Sequence, residues 1–200
     1  MNILSIDIGI TNMGMVYAEI DSTDNPNIIL SKRIDIKHES ETCFARGFLC
    51  NLTHENNPID WVAHLIRNYY NFFESANHIL IEKQPPRGLQ HIEMLIIKEY
   101  RSKVISIYPV SLHKWLNISH LSYEDRKEHV IKTAEPFLNK NENWDNETRK
   151  HDIADAACFI LYFIHKERSS KQTIRDKNIF EMYEYQETPP PEIEGFAYKK

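Results

Sequence analysis

Apolar residues crowd the start of the chain: Ile3, Leu4, Ile6 and Ile8 form a run closed by Gly9, which predicts a buried strand over residues 1–10. A second strand is expected over 14–21, entered through the turn-prone Gly9-Ile10-Thr11-Asn12. The turn formers at 22–27 separate it from a third, over 28–37, where Ile34 and Ile36 alternate with Asp35 and Lys37. Short connections make these three an antiparallel meander. Residues 38–56 are polar and irregular. From Pro58 the period becomes helical, with Ile59, Val62, Leu65, Ile66, Tyr69, Tyr70 and Phe73 on one stripe and proline at a position that suits a first helical turn. A fourth strand follows at 78–82, a break at Pro85-Pro86-Arg87-Gly88, a helix over 89–103, and a fifth strand over 104–110. Two further helices are expected. One runs from Ser122 to Leu138, with Asp125 placed as in a capping box. The other runs over 147–166, with Ile153, Ala156, Ala157, Ile160, Leu161 and Ile164 on one face.

This order describes an α/β protein with a mixed five-stranded sheet flanked by helices. Residues 1–167 form the expected domain. Residues 168–200 have weak periodicity and include Pro189-Pro190-Pro191, so they read as an acidic, partly disordered or extended tail. There is no internal repeat.

The composition narrows the class. At 200 residues and 42% apolar, the chain can bury a core without staples, and no run approaches a membrane span. Asp7 within the first apolar run, with no basic stretch before it, argues against a secretory signal. Cys43, Cys50 and Cys158 are odd in number and lack CxxC spacing, so neither a disulfide framework nor a zinc site is expected, and a reducing intracellular setting is the simplest reading. The net charge of −5 is uneven. Residues 98–177 carry 15 Lys+Arg against 12 Asp+Glu, whereas residues 178–200 carry 2 against 5. A basic middle is compatible with a phosphate-binding face.

Four carboxylates stand out. Asp7 lies inside an apolar run, where an ionised group is costly unless paired or metal-bound. Glu82 ends the fourth apolar strand. Asp152 and Asp155 are three apart on the last helix and share a face. Each alone has an ordinary reading: a turn cap, a strand-end charge, two first-turn acids favouring the helix dipole. Together they suggest convergence, because the first and fourth strands are expected to be neighbours with their C-terminal ends side by side. Converging carboxylates repel, and hard divalent cations of the Mg²⁺ or Mn²⁺ kind relieve that repulsion.

The ordered set SIDIGITNMG, ILIEKQ and KHDIADA resembles the RuvC-like Holliday junction resolvases of the RNase H-like superfamily, most of all the type found in poxviruses and related large DNA viruses. The resemblance covers residues 1–167. It implies an RNase H-like fold, three antiparallel strands followed by parallel ones. It also implies a structure-selective endonuclease that resolves four-way DNA junctions by paired phosphodiester hydrolysis, leaving 5′-phosphate and 3′-hydroxyl ends. Asp7, Glu82, Asp152 and Asp155 would hold two Mg²⁺ ions, with Mn²⁺ as a substitute. Lys127 is the best match for a basic catalytic residue near the scissile phosphate; its ordinary reading is an exposed helix lysine. Gln84, Arg87, Arg101, Lys103 and Lys132 are candidates for phosphate contacts. The implied partners are branched DNA and a second copy of the chain, docked through the helix over 89–103, with no membrane and no small-molecule cofactor. The implied location is a soluble intracellular one, at a viral cytoplasmic replication site or in the host cytoplasm.

Three other readings compete. One is a catalytically dead binding or scaffold protein on the same fold, against which the four acids at matching positions argue. An RNase H-fold nuclease acting on RNA–DNA hybrid or on other branched or single-stranded DNA would use the same carboxylates. The DIGITNMG segment also resembles the phosphate loop of the sugar kinase and actin-like superfamily, but that fold needs two such domains, and 200 residues leave no room for them.

Overall fold

The computed structural model describes residues 1–43, 50–139 and 142–187, without the side chains of 142, 143 and 174–187. Five strands, β1 (Asn2–Asp7), β2 (Met13–Ile20), β3 (Pro26–Ile34), β4 (His78–Glu82) and β5 (Val104–Ile107), form one sheet in the order β3-β2-β1-β4-β5. The first three pair antiparallel, and β4 and β5 add in parallel. That is the expected mixed sheet.

One face of the sheet is covered by α2 (Pro58–Asn68), α3 (Tyr70–Ser75) and α4 (Gln90–Tyr100), which close over Leu4, Ile6, Met15, Ile79 and Ile81. Asn57 caps α2 by accepting from the backbone of Ile59 and Asp60, with Pro58 in the first turn as expected. The alternating residues Ile3, Ser5 and Leu80 point to the opposite face and are fully buried there. Buried apolar residues of α6 (Tyr123–Leu138) and α8 (Lys150–Glu187) include Val130, Ala134, Ala156 and Ala157, and Cys158 Sγ lies 3.7 Å from the Val130 carbonyl, joining the two helices.

Several elements depart from the sequence pattern. The helix expected over 58–73 breaks at Tyr69, whose backbone leaves the helical region. The expected fifth strand stops at Ile107, because Pro109 opens the short helix α5 (Pro109–Trp115). Within the stretch read as irregular, α1 (Ile36–Glu41) forms, capped by Asp35, which accepts from His38 N at 2.8 Å. A short α7 (Glu142–Asn146) precedes α8.

The largest difference is at the C-terminus. The chain divides into two compact units, Met1–Phe163 and Ile164–Lys200. The segment read as an extended tail continues α8 to Glu187. No glycine or proline interrupts 150–187, and good helix formers carry the helix without needing an apolar stripe. The triple proline lies outside the described residues. No described helix is long and apolar enough to cross a membrane.

Candidate active site

The register of the sheet places the first two carboxylates. Ile6 of β1 pairs with Ile81 of β4 in parallel, so Asp7 and Glu82 follow side by side at the C-terminal ends of adjacent strands. Both belong to the alternate set that includes Ser5 and Leu80, on the face opposite α2 and α4. Asp7 also pairs with Gly14 of β2. A Cβ on Gly14 would overlap the Asp152 carbonyl, so the missing side chain lets the first turn of α8 settle against the sheet beside Asp7.

The result is a cavity of about 270 Å³ whose wall carries Asp7, Glu82, Asp152 and Asp155 together. Helix α5 contributes Leu112 and His113, and α6 contributes Tyr123, Arg126, Lys127 and Val130. Arg149 and His151, on either side of the α8 start, complete a rim rich in cationic side chains. All four acids and Lys127 therefore meet at one place, as the motifs implied.

The electrostatics of the cluster are those of unneutralised acids. Asp7 is held well above the usual carboxylate range, first by burial, then by the charges of Asp155, Glu82 and Asp152, and by a hydrogen bond to Glu82. Burial also raises Glu82, with the hydrogen bonds from Asp7 and Gln84 pulling the other way. Asp155 is pushed up to about 7 by burial and by Glu82 and Asp152, against the opposing pull of Lys127. Asp152 is the member with a cationic partner, Arg149 Nε at 3.0 Å; His151 Nε2 lies 3.2 Å away, with burial holding its pKa below the usual imidazole range. An oxygen-only donor set whose charges push Asp7 and Asp155 up fits hard divalent cations.

Lys127 rests its Nζ 4.1 Å from the centre of the Tyr123 ring. Ser122 sets the start of that helix, accepting from Asp125 N at 3.2 Å and donating to Asp125 Oδ2 at 2.6 Å. Across the cavity, Arg33 of β3 binds Glu147 Oε1 at 3.0 Å, and the same oxygen accepts from Arg149 N at 2.9 Å. This brace fixes the approach to α8.

The phosphate-contact candidates separate. Gln84 is buried: its Nε2 donates to Glu82 Oε2 at 2.5 Å, and its Oε1 accepts from Leu89 N at 3.0 Å. It orients a carboxylate and is not a surface contact. Arg87 lies exposed in the turn after β4, at the cavity end of the sheet. Arg101 and Lys103 lie at the other end, since Lys103 precedes β5 and its carbonyl accepts from Ile79 N, at the start of β4. Lys103 Nζ is engaged by the Glu74 carbonyl at 2.7 Å. Lys132 is exposed on α6, paired with Glu128 at 2.6 Å, and does not line the cavity. The sequence pattern missed Tyr123, Arg126, Arg149, His151 and His113. Arg149 and His151 sit immediately before Asp152, and that proximity was the available signal.

Comparison with known proteins agrees with this geometry. No curated protein matches the chain. Among solved structures, fowlpox virus resolvase with substrate Holliday junction DNA is similar at 20% identity and a TM-score of 0.58, over 83% of this chain and 98% of that one. The yeast mitochondrial Holliday junction resolvase Ydc2 is similar at 18% identity and a TM-score of 0.64, over 89% and 83%. These likenesses establish the RNase H-like resolvase fold. Residues 1–167 match the family described as Poxvirus A22 protein, and the chain belongs to that family, the poxvirus type of resolvase that its motifs resemble.

Proposed function

We propose that this chain is a metal-dependent endonuclease that resolves four-way DNA junctions by paired hydrolysis, leaving 5′-phosphate and 3′-hydroxyl ends. The observation that carries the reading is the convergence of Asp7, Glu82, Asp152 and Asp155 on one cavity wall, rimmed by Arg126, Lys127 and Arg149. The family and the junction-resolving relatives point the same way. Membership of the family is what supports an intracellular site of viral DNA replication.

Asp7 is central to the four acids and would be shared between two Mg²⁺ ions, with Mn²⁺ as a substitute. Glu82, Asp152 and Asp155 would complete the holding set. Bound there, the ions supply charge neutralisation at the phosphate and a water acidic enough to attack at neutral pH. The chain's own residues do the rest. Gln84 holds the Glu82 carboxylate in one orientation. Arg149 and His151 orient Asp152. Lys127 and Arg126 stand where negative charge gathers on a phosphodiester, and Lys127 also steadies the Asp155 carboxylate.

Two cuts of like polarity call for two active sites related by a two-fold axis, which a homodimer supplies. The Leu95-Ile96-Ile97 stretch suggested α4 as the dimer element, but Ile96 faces the chain's own core. The exposed apolar surface lies between α4 and α2, where Met94 and Ile59 are 58% and 63% exposed.

The test is a synthetic four-way junction with Mg²⁺ or Mn²⁺. Symmetric nicks, absent with chelator and with the Asp7→Asn protein, are expected. Preferential cleavage of an RNA–DNA hybrid would replace junction resolution with the hybrid reading. Metal-dependent cleavage that survives in the Asp7→Asn protein would remove the carboxylate assignment.

A further inference from the structure

On the far side of the sheet from the carboxylates, four side chains meet that the proposed chemistry does not use. Cys43 follows α1, Cys50 and His54 lie in the connection to α2, and His64 projects from α2. One potential ligand atom from each lies within 4.8 Å of all the others. Cys43 and His64 are buried, and Cys50 and His54 are half-buried. The spacing, Cys43-x6-Cys50-x3-His54-x9-His64, lacks CxxC, which is why the sequence pattern excluded zinc; folding α1 against α2 supplies the proximity that spacing did not.

The surroundings are those of a metal site. His64 Nδ1 lies 2.6 Å from the Asp60 carbonyl, an acceptor only, so this nitrogen carries the proton and donates. Its Nε2 is left as a lone pair aimed inward, 3.1 Å from His54 Nε2 and 3.5 Å from Cys50 Sγ. A ring nitrogen tied to a backbone carbonyl while the other faces a ligand cluster is the usual support of a metal-bound histidine. Asp60 is itself fixed, accepting from Thr53 Oγ1 and from Glu55 N, so the carbonyl that orients His64 belongs to a pinned turn. Both sulfurs accept from the Arg67 guanidinium, at 2.7 Å for Cys43, a cationic outer donor beside the cluster. Two thiols and two imidazole rings thus crowd one point, each offering a metal-ligating atom to it. A tetrahedral ion satisfies all four donors together.

We propose that Cys43, Cys50, His54 and His64 form a closed structural zinc site that staples the α1–α2 connection to the nuclease domain. Two sulfur and two nitrogen donors with no open position suit zinc and a structural role, not catalysis. Binding releases the two thiol protons and leaves a site neutral in itself, with Arg67 as its outer donor. The stretch between Glu41 and Pro58 has no helix or strand among its described residues. The zinc would tie Cys43 and Cys50, on either side of residues 44–49, to His64 of α2. The proposal does not rest on the nuclease reading, because it uses none of the carboxylates.

The full chain, purified without chelator, is expected to carry close to one zinc per molecule by elemental analysis. The Asp7→Asn protein should carry the same amount. The Cys43→Ser/Cys50→Ser double variant should lose it. Should that variant misfold, cobalt exchange into the unaltered chain decides: sulfur-to-cobalt charge transfer with intense tetrahedral bands supports the site, and their disappearance on adding zinc confirms competition for it. Zinc-free protein whose cobalt spectrum lacks sulfur ligation overturns the proposal. So does an intact mass showing Cys43 and Cys50 joined as a disulfide in protein isolated under reducing conditions.

Discussion

Gln84 shows what a single side chain contributes that a motif does not reveal. Read as part of IEKQ, it is a polar residue near a carboxylate and a natural candidate for DNA contact. Folded, it is buried and spends both ends of its amide inside the protein, one on Glu82 and one on the backbone of Leu89. Substituting Gln84 by Ala is expected to lower cleavage by about 10–100-fold, the usual cost of losing a group that orients a metal-holding ligand. Junction affinity measured without metal should barely change; a parallel loss of affinity would return Gln84 to the DNA-contact class. The acids themselves make a second prediction. Asp155 titrates near 7 in the folded protein, above its range in an unfolded chain. The folded state therefore holds the proton more tightly, so this group's contribution to stability is complete in acid and is lost as pH rises through about 7. The metal-free Tm is expected to fall between pH 5 and 8, and to fall less steeply in the Asp155→Asn protein. Added Mg²⁺ should recover stability at pH 8, since it binds the folded form alone. An identical pH slope in the two proteins would show that the cluster does not govern this dependence.

Between elements, the decisive contact is the one at Gly14. The sheet register places Asp7 and Gly14 opposite one another, and the start of α8 lies against the glycine. Replacing Gly14 by Ala forces α8 away from β2 at the turn that carries Asp152. The expected cost is about 1–3 kcal/mol of stability for overpacking, read by denaturant unfolding, together with loss of cleavage beyond what that destabilisation explains. Full activity in a folded Gly14→Ala protein would mean that the helix position is not critical. Much at this scale was legible. Apolar runs and turn clusters located all five strands, and the expected pairing of β1 with β4 brings Asp7 and Glu82 together. What escaped has physical causes. The six-residue α1 rests on a side-chain cap from Asp35 and has no run long enough to show a period. Pro109 reads as the end of the strand expected over 104–110, yet it starts α5. Lys103 and Arg101 seemed close to Glu82 in order along the chain, but a parallel strand begins at the end opposite its neighbour's finish. The Cys and His residues after α1 share no sequence period at all; only the packing of α1 on α2 brings them together.

At the scale of the whole molecule, a junction presents two scissile phosphates, and the described residues of one chain form one such carboxylate cavity. On the proposed function, paired cutting depends on how two copies meet. The face between α2 and α4 is the apolar surface best suited to self-association: Ile59, Met94 and Leu95 line a groove there with Pro58, and only His91 and Lys98 among its lining side chains can carry charge. Ile59 and Met94 contribute little to their own core, so changing both to Glu should leave the fold intact while placing two like charges on each side of a two-fold contact. The double variant is expected to shift from dimer to monomer in light scattering, near the chain mass of 23.7 kDa. On a supercoiled plasmid with an extruded cruciform it should yield nicked circles in place of linear product. The reason is topological. The first nick releases the supercoiling that holds the cruciform, so the second cut must come from a site already in place. A double variant that remains dimeric and still linearises the plasmid would move the dimer contact elsewhere on the surface, while one that is monomeric and yet linearises it would show that paired cutting does not need a preformed pair of sites.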